Sequence, residues 1–205
     1  MIHYHGTPIT PHSEMFKMAG KHFCVCFNDA RNIDWCIANG QSVMLDNGAF
    51  SAFTQGRTTD FKAYEKWIEP YLYPPNWCVI PDVIDGTIAQ QRQLMQTFNY
   101  LPKHLVAPVW HMHLDLDWLV EIADGYDRFC FGSSGQYWQV GSESWSRRCD
   151  QAWNILTQKG YKPWVHMMRG LSLAGDIYPF ASADSTNVAR NFKNKGQEVC
   201  PERMA

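Results

Sequence analysis

Val43-Met44-Leu45-Asp46-Asn47-Gly48-Ala49-Phe50 runs three apolar residues into an acid, a flexible pair and an aromatic. Such a stretch predicts a buried strand that ends on a carboxylate, with Asn47-Gly48 turning the chain away. The pattern recurs. Val79-Ile80-Pro81-Asp82 ends in an acid, Val109-Trp110-His111 in an imidazole, and Phe131-Gly132-Ser133-Ser134-Gly135 in small polar groups. Val165-His166-Met167-Met168-Arg169-Gly170 and Phe180-Ala181-Ser182-Ala183-Asp184-Ser185-Thr186 repeat it. Chemistry placed again and again at strand exits is what an α/β barrel produces, because its functional groups sit on the C-terminal ends of its strands.

Working outward, Ile2 to Gly6 and His22 to Phe27 are strand candidates, with Cys24 and Cys26 alternating onto one face. Pro11-His12-Ser13 opens a helix ending at Gly20, and Asn28-Asp29 caps another over Ile33 to Ile37. Ser51 to Thr59, rich in Gly and Thr, predicts a loop. Asp60 caps a helix carrying Phe61, Tyr64, Trp67, Ile68 and Tyr71 on one face. Strands at Trp77–Pro81, Leu105–Trp110, Arg128–Gly132, Trp164–Met168 and Phe180–Asp184 follow, separated by helices at Thr87–Tyr100, Asp115–Ala123 and Ser142–Lys159. That makes eight strands, each followed by helical or compact connecting sequence. A small single-domain parallel (β/α)8 barrel over residues 1–205 is the expected fold, with about 197–205 as a C-terminal tail; the length sits near the ~200-residue minimum for that architecture. A doubly wound open sheet competes less well, since no Gly-x-Gly-x-x-Gly follows the first strand.

The bulk numbers agree with one well-packed domain. Apolar residues are 45% of the chain and aromatics 14%, which excludes disorder. Eighteen basic against twenty acidic residues leave a net charge of −2, so no broad basic footprint for nucleic acid is visible. Seven cysteines without any Cys-x-x-Cys spacing suggest reduced thiols. With no apolar run of membrane-spanning length and no leader, the expected location is cytoplasmic, the host cytoplasm if the chain is phage-encoded.

Asp46 and Asp184 are the leading catalytic candidates. Each ends an apolar strand before a turn. An Asp there also serves as a plain helix cap, but Ser185 or Thr186 stands ready to do that for Asp184. Two carboxylates across a barrel mouth divide labour well, one as nucleophile and one as acid/base, in cleavage at an anomeric carbon. Asp82, beside Asp85, is placed to read an amine-bearing heterocycle or else to be a solvated loop acid. Gly132, Ser133, Ser134 and Gly135 present backbone N–H groups to a carbonyl or phosphate, although Gly-Ser turns are common. Phe50 offers a stacking face, Asn47 a polar contact, and Arg169 and Arg190 phosphate contacts, with packing and surface ion pairs as the plainer alternatives. His111 and His166 complete the candidate binding set.

The order of these motifs resembles the tRNA-guanine transglycosylases. Asp46-Asn47-Gly48-Ala49-Phe50 is similar to their Asp-Ser-Gly-Gly-Phe/Tyr motif, and Pro81-Asp82 to their base-reading acid. Gly132-Ser133-Ser134-Gly135 resembles their Gly-Gly-Leu-Ala turn, and His166 to Gly170 their Met-Gly-Val-Gly exit. Phe180 to Thr186 resembles the strand bearing their nucleophilic Asp, with Arg190-Asn191 like the basic segment beyond. The compact phage and bacterial DNA 7-deazaguanine transglycosylase-like proteins look closest. The resemblance implies queuosine-related exchange of guanine for a 7-deazaguanine through a glycosyl-Asp intermediate: Asp184 as nucleophile, Asp46 as acid/base, Asp82 as base-reading acid, Phe50 as stacking face. It implies no cofactor, and as partners a nucleic acid and a 7-deazaguanine base, with no membrane and with a homodimer left open. The chain departs from the family at Trp110-His111, where a Gln stands, and lacks the zinc module, only Cys200 lying in that region. With the acidic charge, this shifts the expected donor from tRNA towards DNA, a nucleotide and a free nucleoside remaining open.

A metal-dependent amidohydrolase-like hydrolase is the rival. His3 and His5, two apart on one strand, with His111, His166 and Asp184, resemble that ligand layout. A catalytically inactive barrel that binds a nucleobase is the third reading.

Overall fold

The computed structural model describes residues 1–175 and 177–192. Nine short strands form one all-parallel sheet: β1 Ile2–Gly6, β2 His22–Cys26, β3 Ser42–Asp46, β4 Trp77–Val79, β5 Val106–Ala107, β6 Val109–His111, β7 Arg128–Gly132, β8 Trp164–Met167 and β9 Ser182–Ser185. Their spatial order is β5-β4-β3-β2-β1-β9-β8-β7-β6. The two ends of that order are one piece of chain. β5 pairs with β4 and β6 with β7, and only Pro108 stands between them. Proline cannot donate to a ladder, so the stave shifts its partner at that residue, while the Pro108 carbonyl still accepts from Cys130 N–H at 2.8 Å. The sheet therefore closes into a barrel of eight staves, the expected (β/α)8 architecture.

Around it lie α1 His12–Met15, α2 Ile33–Asn39, α3 Ala49–Thr54, α4 Phe61–Ile68, α5 Ile88–Thr97, α6 Leu116–Gly125, α7 Glu143–Gln158 and α8 Asn187–Asn191. Outward-facing strand residues such as Phe23, Val25, Val43 and Leu45 pack under α2 and α4, and Phe129, Phe131, Val165 and Met167 under α6 and α7. The barrel interior is filled separately by Tyr4, Met44, Trp77, Val79, Ala107, Val109 and Cys130. Its polar atoms are satisfied within: Trp77 Nε1–H donates to Tyr4 Oη at 2.9 Å, which lies 3.0 Å from Ser42 Oγ. Cys24 packs into the same interior, as the alternation along β2 predicts. Arg128, at the start of β7, lies over Trp164 and Trp77 and plugs the end opposite the strand exits.

Several expectations need correcting. Ser51–Thr59 is not one loop, because Ala49–Thr54 is helical: Gly48 takes φ +75° and Asn47 Oδ1 accepts from Ala49 N–H at 2.8 Å, which starts the turn. Asn28 does not cap α2; Phe27–Asp29 is a 3₁₀ turn, and Asn28 instead donates to Gly48 O at 2.9 Å. Among the described residues the stretch after β8 shows the 3₁₀ turn Leu171–Leu173 and no α-helix, a compact connection of the kind expected, while two helices follow β3. The last strand begins at Ser182, two residues later than expected, with Phe180 in the outer core instead. The cap read at Asp60 is as expected, accepting from Lys62 and Ala63 N–H, and the helix expected from Thr87 opens on a reciprocal pair between Thr87 and Gln90. The supposed tail at 197–205, and Cys200, lie outside the described residues.

Candidate active site

Because every stave is parallel, Asp46, Asp82, His111, Ser133, His166 and Asp184 all reach the same mouth. A cleft of about 370 Å³, counting its open mouth, is lined by Asp46, Asn47, Phe50, Asp82, Ile84, His111, Gly132, Ser133, Met168 and Arg169. Most of the residues singled out from sequence thus meet in one place. Asp184 sits just behind: its Oδ1 accepts from Arg169 N–H at 2.8 Å, and its side chain keeps 14% exposure.

Arg169 is the one described non-glycine residue with positive φ, at 61°. A bulky side chain in that region is strained, and such strain persists where the surroundings over-determine it. Here the twist aims the N–H at Asp184 while the guanidinium lies 3.8 Å from the centre of the Phe50 ring and 3.3 Å from Ser133 O. One face of Phe50, read as a platform for a base, is therefore covered by Arg169.

The two catalytic candidates carry opposite electrostatics. Burial pushes Asp46 up to about 7, and the charges of Asp184 and Asp82 add to the shift; the Cys26 thiol and Gly48 N–H oppose it only in part. Cys26, register partner of Asp46 on β2, is itself pushed up to about 12 by burial and by Asp46, so it stays a thiol. Burial raises Asp184 too, but His166, the Arg169 N–H and the Arg169 guanidinium outweigh it and hold the acid below the usual carboxylate range. His166 is fully buried, with Nε2 3.3 Å from Asp184 Oδ1 and Nδ1 2.6 Å from Ser182 Oγ. It orients Asp184 from behind and does not face the cleft, which corrects its place among the binding residues. Ser185 Oγ, not Asp184, accepts from the Asn187 N–H at the start of α8, which leaves the Asp184 carboxylate free of capping.

On the other wall, Asp82 is almost fully buried and doubly held. Oδ1 accepts from Asn47 Nδ2 at 2.7 Å, and Oδ2 lies 2.8 Å from His111 Nε2. Asn47 also donates to Ile80 O at 2.9 Å, tying β3 to the exit of β4. Ser133 Oγ accepts from Trp145 Nε1–H at 2.9 Å, so its hydroxyl is engaged from outside the barrel. Ser134 and Gly135 do not line the cleft. Ser134 Oγ lies 2.7 Å from His113 Nδ1, and Gly135 packs over the His113 side chain. Arg190 sits on α8 and does not line the cleft either.

The metallohydrolase layout does not assemble. Tyr4 points into the barrel, so its neighbours His3 and His5 point out of it, their rings 3.8 Å apart and divided from His111 and His166 by the sheet. Among the described residues no three His, Cys, Asp or Glu side chains gather as a metal site. No described helix is long and apolar enough to cross a membrane.

Sequence reasoning missed Cys26, His113, Asn28 and Met168. Cys26 was findable, since it shares a face with Cys24 and ends its strand level with Asp46. Asn28 and His113 gave no local signal, because each acts on a loop from another stave. Comparison with protein families, curated proteins and solved structures returned no match.

Proposed function

We propose that this barrel exchanges a nucleobase, taking guanine from a nucleic acid and installing a 7-deazaguanine through a glycosyl-Asp184 intermediate. The observation that carries the reading is the split between two carboxylates at one mouth, Asp184 held ionised and Asp46 raised to about 7. Environments that push two acids apart mark out a nucleophile and an acid/base. In the first half, an Asp184 oxygen bonds to the anomeric carbon while the bond to guanine breaks, and Asp46 gives its proton to the departing ring nitrogen. In the second half, Asp46, now a carboxylate, takes the ring N–H proton of the incoming base. That base attacks the same carbon and frees Asp184. A value near 7 suits a group that must do both at neutral pH.

Arg169 must leave Phe50 for a base to stack there and for the sugar to reach Asp184. The freed guanidinium then meets the donor's phosphate. DNA is favoured over tRNA as donor because the motifs look closest to the DNA 7-deazaguanine transglycosylase-like proteins and the sequence lacks the cysteine spacing of the tRNA enzymes' zinc module. Intact-protein mass spectrometry with an oligodeoxynucleotide, a tRNA or a nucleoside, plus a 7-deazaguanine, tests the scheme. Wild type should show a glycosyl adduct on one donor class; Asp184→Asn should lose the adduct, and Asp46→Asn should slow its formation. Full exchange by both variants sinks the proposal, as does release of free base without any adduct.

A further inference from the structure

His111 presents a buried acceptor that nothing among the described residues satisfies. Its Nε2 faces Asp82 Oδ2 at 2.8 Å, and a carboxylate only accepts, so Nε2 carries the ring proton. In the neutral imidazole Nδ1 is then a bare lone pair. It is buried and has no hydrogen-bond partner among the described residues, and His111 as a whole is 2% exposed. The tautomer is locked from behind, because Asn47 Nδ2 holds the other Asp82 oxygen at 2.7 Å. Gly132 stands next to the lone pair: a Cβ added there would lie 3.1 Å from Nδ1 and 3.0 Å from a Val109 methyl. With no side chain on Gly132, only its backbone stands beside Nδ1, and Gly132 and His111 both line the cleft.

We infer that His111 Nδ1 is the specificity-determining acceptor for an N–H donor on the bound heterocycle, the Asp82–Asn47 pair serving to fix its tautomer. A buried acceptor left empty is costly, and a site built around one rejects analogues that lack the matching donor far more sharply than an apolar pocket can. The ligand class is a planar base with donors along one edge, as guanine-type bases have at N1 and the exocyclic amine. A base offering only acceptors on that edge would set lone pair against lone pair.

The inference rests on the base-exchange reading for its choice of probe, and binding of the free base without any donor separates the two. Calorimetric affinities are compared for 7-deazaguanine, its analogue without the exocyclic amine, and its N1-methyl analogue. His111→Gln is the deciding variant, since its amide nitrogen can occupy the place of Nε2 and keep Asp82 paired while nothing replaces Nδ1. Wild type should lose tenfold or more in affinity with one of the two analogues, and His111→Gln should reduce that same loss to less than twofold. If wild type binds all three alike, binds none of them, or if His111→Gln keeps the full discrimination, the inference is overturned. Should the variant fail to fold, ¹⁵N NMR of wild type decides: the His111 Nδ1 resonance should shift on binding the parent base and not on binding the rejected analogue. Discrimination in a protein that never exchanges bases would discard the enzymatic reading and keep this one.

Discussion

At the scale of single residues, the chemistry turns on how far the protein separates two otherwise similar acids. Donor cleavage needs Asp46 protonated, so the rate of adduct formation under limiting donor should fall about tenfold per pH unit above about 7. In Asp184→Asn the negative neighbour is gone, and the Asp46 carboxyl followed by ¹³C NMR should titrate lower than in wild type. An unchanged midpoint would mean that the Asp184 charge does not contribute to its value. Arg169 is judged separately. Arg169→Ala removes the guanidinium from Phe50 and from the expected phosphate, so KM for a nucleic-acid donor should rise by about tenfold or more. Affinity for the free 7-deazaguanine should hold or improve, because one face of Phe50 becomes open.

At the scale of elements, the mouth depends on turns that one stave lends to another. Asn28, after β2, holds the Gly48 carbonyl, and a Cβ at Gly48 would lie 2.5 Å from the Asn28 amide. Gly48→Ala therefore meets both a φ of +75° and that contact, and should cost about 1–3 kcal/mol in urea unfolding. Tyr64 shows the same lending from α4. Its hydroxyl lies 3.0 Å from Leu45 O and 2.8 Å from Val79 O, at the ends of β3 and β4. Tyr64→Phe should lose about 1–2 kcal/mol with an unchanged fold by circular dichroism.

Over the whole molecule, the site works against stability. Asp46 binds its proton more tightly folded than unfolded, so its contribution is fully present below the ordinary Asp value near 4 and is lost as pH rises to about 7. Asp46→Asn should accordingly stabilise the protein at pH 8 by on the order of 2–4 kcal/mol, discounted for the solvent left at the mouth, with the gain shrinking towards pH 4. A chemical-denaturation series over pH 4–8 measures it; a flat difference would remove Asp46 as a strained acid. Asp184 has the opposite sign. Its lowered value supports the fold above the ordinary carboxylate range and gives way as pH falls through it.

The linear chain by itself determined the architecture. Apolar runs ending in Asp46, Asp82, His111, Ser133 and Asp184, spaced by amphipathic stretches, leave few ways to bury their surfaces other than a closed parallel sheet, and the same runs place those side chains at one end of it. What each side chain does there was decided by contacts between staves far apart in sequence. His166 faces Asp184 and not the cleft because β8 and β9 lie side by side. Asp82, expected to read a base, is engaged by Asn47 and His111, and the open lone pair lies on His111 instead. His3 and His5 fall outside the barrel because one alternating residue, Tyr4, is large and apolar enough to claim its interior. Periodicity along a strand fixes which residues share a face. Only the closed sheet decides which face is inside and which neighbour shifts a carboxylate up or down.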